Sequence, residues 1–316
     1  MIIFDCRFSI FDSPQPAPLP PGPRAPLPST GGRKGRRWAA VLAALALLAG
    51  CGDQPTEVED YEREPVLSAF LTNGQPVDQV YLERVAPLDA YYDPEDHGIT
   101  GAELVVFPVG GGDTLLLEND PDVPGHYLAP AGADWRPAGT ARYRLEAYKE
   151  NDEVNVWAET VVPDTFSIEV LPAAAVGDTV TRLDPNFVLR WTDADSAGGF
   201  ILNVICLTPE DSLVPLDPDF DPEEDEVDED YPPRSQMEFM RYDQREATLP
   251  WYLFQYEGPH RVDLLAVSAL YYEYVTTLFR VGQGQGADIP SNVSGGLGIF
   301  AGTTSRSFEV YVKRVG

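Results

Sequence analysis

The 316-residue chain carries 51 Asp plus Glu against 22 Lys plus Arg, a formal net charge of −29, and 43% of its residues are apolar. That apolar content excludes a wholly disordered chain, and the acidity excludes a non-specific nucleic-acid binder, because phosphates would be repelled. Three cysteines are too few for a disulfide-rich scaffold, and the length suits about two domains.

Residues 13–29 are Pro-rich and lack apolar periodicity, so they read as disordered. A basic patch, Arg33, Lys34, Arg36 and Arg37, then precedes an unbroken apolar run from Trp38 to Ala49. At a rise of about 1.5 Å per residue that run spans about 18 Å, short of a roughly 30 Å hydrocarbon core. A basic segment followed by a short apolar core is a secretory signal rather than a membrane span. The run ends in Leu48-Ala49-Gly50-Cys51, which resembles a bacterial lipobox. The resemblance implies cleavage before Cys51 and lipidation of its thiol (palmitate among the acyl chains), and several chains on one residue anchor stably. Residues 1–26 lie upstream of this signal, which points to initiation nearer Leu27. Residues 1–50 are thus read as a disordered extension and lipoprotein signal peptide. They carry six Lys/Arg and two Asp/Glu, so their removal takes the net charge from −29 to −33. Residues 51–62 read as an acidic tether. An acidic run after such a Cys also resembles the surface-export signals of Bacteroidota lipoproteins, which leaves the periplasmic face and the cell surface both open.

From 64 to 163 the pattern is one of short strands: Val66 to Thr72, Val77 to Ala86, Glu103–Phe107, Thr114–Glu118, His126–Ala129, Arg142–Tyr148 and Val154–Val162. Asn73-Gly74 is a hairpin turn signal. Tyr143, Leu145 and Ala147 alternate with Arg142, Arg144 and Glu146, the mark of a half-buried antiparallel strand. Seven such strands without a long helix point to a β-sandwich over 63–164. Pro163-Asp164 punctuates the chain, and a second β pattern follows over 165–316. There Phe187 to Trp191, a turn, and an apolar strand at 199–207 resemble the opening of a fibronectin type III or related sandwich, with Trp191 as a core anchor. Ala269 to Val281 is open to helix or strand, and a last strand runs from near Ser307 to near Arg314. The fold expected is therefore all-β, with two tandem β-sandwich (Ig-like or fibronectin type III-like) domains after a lipoprotein signal peptide.

The motifs carry little chemistry. His97, His126 and His260 have no partner at zinc-binding spacing. Ser294 lacks the Gly two residues before it that a nucleophile elbow requires. Gly282 to Gly286 has neither P-loop nor dinucleotide spacing. Cys206, the only free thiol once Cys51 is lipidated, reads as a buried, inert cysteine. Within an acidic loop over 209–233, Asp217 to Asp230 holds ten carboxylates and no basic residue. Asp217, Asp219 and Asp221 have calcium-loop spacing, but Pro222 stands where an EF-hand needs Gly. A solvated insertion is the simpler reading, with weak calcium binding the sharper one. Trp251, Tyr252, Tyr271 and Tyr272 are the candidates for a glycan-stacking row, and a pair of glycosidase carboxylates has no specific support. No cofactor is implied.

Several stretches resemble one lipoprotein family: the lipobox, Pro65 to Asn73, Val80 to Arg84, Gly101 to Val105, Gly125-His126-Tyr127, Tyr143-Arg144-Leu145 and above all Asn292 to Phe300. It is a Bacteroidota-type outer-membrane lipoprotein family of unknown function, often encoded beside TonB-dependent receptors. The resemblance implies a location and a partner rather than a reaction. The expectation is a non-enzymatic lipoprotein, anchored to the outer membrane at Cys51, that serves as accessory binding or structural partner of a TonB-dependent system. The alternative is a carbohydrate-binding or glycan-processing surface lipoprotein. Lys occurs only three times, and the acidity persists without the loop, which fits a salt-adapted surface.

Overall fold

The computed structural model describes residues 63–86, 94–150, 154–172, 177, 179–181, 184, 186–209, 212–216, 234–241 and 243–314. The expected signal peptide and tether, Cys51, and Asp217, Asp219 and Asp221 of the acidic loop lie outside the described residues.

The seven strands read between 64 and 163 are present as β1 (Pro65–Thr72), β2 (Val80–Arg84), β3 (Glu103–Pro108), β4 (Leu115–Asn119), β5 (His126–Leu128), β6 (Arg142–Lys149) and β7 (Val154–Val161). A one-turn helix, α1 (Pro94–His97), lies between β2 and β3. Alternation is what builds these strands: Leu67, Ala69 and Leu71 of β1 are buried while their neighbours are half-exposed. The Asn73-Gly74 turn closes with Gln75 N–H donating to Thr72 O, but paired strand resumes only at Val80, opposite Ala69. The strands run in the order β1-β2-β5-β4-β3-β6-β7. β4 pairs with both β5 and β3, so one edge of this first sandwich is continuous.

The second half contains β8 (Ile168–Leu171), β9 (Thr179–Thr181), β10 (Phe187–Trp191), β11 (Gly199–Cys206), β12 (Ser235–Arg241), β13 (Glu246–Leu249), β14 (Gly258–Val267), α2 (Ala269–Gly282), β15 (Val293–Ser294) and β16 (Leu297–Lys313). A sheet in the order β12-β11-β14-β16 faces a smaller sheet, β13-β10-β8. Phe187, Leu189, Phe200, Leu202 and Leu264 fill the space between them. Trp191 is 5% exposed and packs on Phe200, as a core anchor should. Cys206 is buried and free. The segment open to helix or strand is α2, which sets Tyr271 edge-on to Phe70 at 5.2 Å.

The architecture is thus all-β, with two sandwich-like cores and one helix longer than a single turn among the described residues. Val162 belongs to the first core and Phe166 to the second. The closing strand departs from expectation. It begins at Leu297 rather than near Ser307, and its 17 residues serve both cores. Its first part pairs in parallel with β1, from Val66↔Leu297 to Thr72↔Thr303. Its second part pairs antiparallel with β14, from Val267↔Thr303 to Gly258↔Val312. Phe300 belongs to the first core; Phe308, Val310 and Val312 belong to the second. Gly298 and Gly302 disguise the early part, because glycine is depleted from strands. They are required by close backbones: a Cβ on Gly298 would stand 2.1 Å from Leu67 O, and one on Gly302 2.2 Å from Val161 O.

Asn292 fastens this returning segment. Its Nδ2 donates to Glu159 O of β7 and to Phe300 O of β16, each at 2.8 Å, and its Oδ1 accepts from Phe300 N–H at 2.8 Å. Beside the short pairing of β15 with β7, the side chain thereby ties β7 to β16 and closes the first sandwich opposite β4.

Candidate binding surface

On β6 the alternation that buries Tyr143, Leu145 and Ala147 turns Arg142, Arg144, Glu146 and Tyr148 outward. On β7 it buries Val154, Val156 and Ala158 and turns Asn155, Trp157 and Glu159 to the same side. The register sets Arg144 opposite Glu159, Glu146 opposite Trp157, and Tyr148 opposite Asn155. β3 and β4 extend the face with Phe107 opposite Arg144, and Val105 opposite both Glu146 and Leu116.

Three large apolar side chains stand open here: Trp157 at 36% exposure, Tyr148 at 52% and Leu116 at 53%. The Arg144 guanidinium carbon lies 4.0 Å from the centre of the Trp157 ring, a cation–π arrangement. Arg144 also pairs with Glu146 at 2.6 Å and with Glu159 at 3.7 Å, and Arg142 reaches Glu159 at 3.6 Å. Such surface pairs add little to stability, about 0–1 kcal/mol each. They hold Arg144 over the indole. Beside this cluster a cavity of about 490 Å³ is bounded by the Pro108–Gly112 turn, Arg144, Glu146 and Glu159.

The four aromatics singled out for glycan stacking do not form a row. Trp251 is half-buried; its Nε1 donates to Asp184 O and its ring packs on Phe187 and Phe254. Tyr271 is 6% exposed and lies inside the fold. Tyr252 is exposed and donates its hydroxyl to Glu238, whereas Tyr272 packs on Phe239, the next residue of β12. Adjacent strand residues face opposite sides of a sheet, so Tyr252 and Tyr272 cannot share a platform.

The histidines are structural. His126 is held by Asp120 Oδ2 and Asp78 O, both at 2.8 Å, and stacks on Tyr81. His97 and His260 are buried, and burial pushes the His260 imidazole pKa below its ordinary range. Among the described residues no three His, Cys, Asp or Glu side chains are grouped to hold a metal. Gly284 sits in the turn that ends α2, and Ser294 lies on the two-residue strand β15. The exposure of Trp157 is legible in the sequence, since it shares the period-two face of Asn155 and Glu159 and alternates with the apolar Val156 and Ala158.

No curated protein matches the chain. Solved structures that are similar include the FN1–FN3 domains of chicken CNTN1, at 10% identity over 79% of this chain and 67% of that one, with a TM-score of 0.23. A two-domain fibronectin type III segment of chicken tenascin is 12% identical over 65% of this chain and 91% of that one, with a TM-score of 0.20. Salmonella alpha-2-macroglobulin is 11% identical over 79% of this chain but only 15% of its own, with a TM-score of 0.22. Residues 53–309, most of the chain, match the family described as "Domain of unknown function (DUF4249)", and the chain belongs to that family.

Proposed function

We propose that this is a non-enzymatic envelope lipoprotein, anchored to the outer membrane through Cys51, that docks a protein partner on the outward face of β3, β4, β6 and β7. The observation that carries the docking reading is the open Trp157–Arg144–Tyr148 cluster flanked by Leu116. Trp, Tyr and Arg dominate the energetics of protein interfaces, and an indole already held by a guanidinium costs little entropy to engage. The partner we propose is an outer-membrane protein of the TonB-dependent receptor type, the company that the lipobox and the family resemblance suggest. Cross-linked pull-down from detergent-solubilised membranes should recover it with the native chain, and Trp157→Ala should cut recovery at least about tenfold, the scale of an interface hot spot. Cys51→Ser should move the chain from the membrane fraction to the soluble one. Recovery unaffected by Trp157→Ala would refute the docking face.

Glycan binding is the second reading, favoured by the exposed Trp157 and Tyr148 rings on one face. Affinity electrophoresis in gels containing soluble polysaccharide separates the two: retardation lost in Trp157→Ala supports a glycan, and unchanged mobility leaves the protein partner.

A further inference from the structure

The N-terminal end of α2 opens into a second cavity, of about 340 Å³, lined by Arg142, Glu159, Ser196, Ser268, Leu270 and Asn292 among others. Ser268 is the N-cap of this 14-residue helix and has extended backbone angles, φ −59° and ψ 152°, yet its side chain makes no capping bond. It is 8% exposed, and its Oγ has no hydrogen-bond partner. A buried hydroxyl left unpaired is costly, so its presence calls for a partner. Tyr272 N–H is the amide that bonds back to Ser268 O, at 3.0 Å, which leaves the earlier amides of the first turn directed out of the helix end. No Asp or Glu stands in that turn to offset the positive end of the helix dipole. Arg142 is 60% exposed, and its 3.6 Å contact with Glu159 is loose enough to be exchanged for another acid.

We propose that this cavity binds a monovalent carboxylate that carries a short apolar tail. The carboxylate would accept from the Ser268 hydroxyl, the first-turn amides and Arg142, and the tail would lie on Val161, Ala269 and Leu270. Glu159 on the cavity wall disfavours a phosphate dianion, which it would repel twice as strongly, whereas a single negative charge is balanced by Arg142 and the helix end. In a chain of net charge −29, a site that accepts an acid runs against the global field, so binding must be local and short-range. Two sources offer this chemistry: the C-terminal carboxylate of a peptide, and a free short-chain carboxylic acid.

Amide NMR of the full chain tests the site, with propionate and N-acetyl-Ala-Ala as probes and their neutral amides, propionamide and N-acetyl-Ala-Ala-amide, as controls. At least one acid should shift the Ala269 and Leu270 amides saturably below about 50 mM, a range that captures millimolar affinity, and the controls should not. Saturation by N-acetyl-Ala-Ala alone identifies a peptide C-terminus, and saturation by propionate alone a free acid. Ser268→Ala and Arg142→Gln should each weaken binding about tenfold or more, as expected for a hydrogen bond to a charged group. Arg142→Gln alters an exposed side chain and keeps the result interpretable if Ser268→Ala perturbs the helix start. Equal shifts from acid and amide, no shift from either acid, or unchanged affinity in Arg142→Gln would overturn the proposal. No partner protein is present in this titration, so its failure leaves the docking face untouched.

Discussion

Asn292→Ala removes one side chain that makes three hydrogen bonds to backbone, to Glu159 O, Phe300 O and Phe300 N–H. Each such bond is worth about 1 kcal/mol net, and the orphaned groups sit where β7 meets β16. Asn292 itself is half-buried, so water partly replaces it. The expected loss is therefore about 2–3 kcal/mol. For a folded body of this size that corresponds to a drop in Tm of about 4–12 °C. Asn292→Asp sharpens the test. It retains the acceptor for Phe300 N–H but loses both donations and sets a negative charge against two carbonyl oxygens. At neutral pH it should be less stable than Asn292→Ala, and the gap should narrow in acid as the new carboxyl protonates. Urea titration followed by far-ultraviolet circular dichroism measures both variants. An Asn292→Ala protein within about 0.5 kcal/mol of the native one, or an Asp variant more stable than the Ala variant at neutral pH, would falsify the clamp.

Gly298→Ala should destabilise more than Gly110→Ala. Both residues have positive φ, 116° and 115°, but a Cβ at Gly298 strikes Leu67 O while Gly110 faces open space. Gly110→Ala should cost only the left-handed backbone penalty, about 1–2 kcal/mol, and equal losses in thermal melts would refute the steric account. His260 makes folding sensitive to mild acid. Its folded pKa lies below its unfolded value, so this contribution is complete above about pH 6.5 and is lost as the pH falls, because only the unfolded chain takes the proton. Asp78 and Asp263, whose pKa values are raised by burial, act in the opposite sense at lower pH. His260→Phe should flatten the loss in denaturation midpoints measured between about pH 7 and 5.5; an unchanged slope would assign the effect elsewhere. The dispersed acidity predicts a higher Tm in molar salt than in dilute buffer, through screening of like charges, and a flat salt series would remove that reading.

What was legible in the sequence was period-two alternation. It is plainest in β2 and β6, each of which buries one face and wets the other. Trp191 could be assigned to a core because it ends an apolar strand. β16 was read too short, since glycines chosen for close backbone approach look like loop residues when the approaching strand is unknown. The Asn292 to Phe300 stretch, the most telling part of the family resemblance, proves to be a fastening seam: Asn292 ties β7 to β16, and Phe300 enters the first core. The docking cluster needed the register between β6 and β7 before Arg144 could be placed over Trp157. The Ser268 site joins residues from β6, β7, α2 and the turn at Ser196, a combination no local pattern reveals. The aromatic candidates fail for a related reason: Trp251 and Tyr271 pack into the fold, while Tyr252 and Tyr272 rest on adjacent β12 residues that face opposite ways.

The parallel pairing of β1 with β16 also has a mechanical meaning. β1 starts two residues after the described chain begins, at the end where an anchored protein would be held. Tension applied there runs along β1, parallel to its neighbour, through seven consecutive register pairs from Val66↔Leu297 to Thr72↔Thr303. Such a load shears the ladder, so its hydrogen bonds must yield together rather than peel apart one at a time. Because β16 continues into the second core, slippage of β1 is resisted by a strand that is itself rooted at Phe308, Val310 and Val312. A body built this way resists tension on its first strand by shear rather than by peeling.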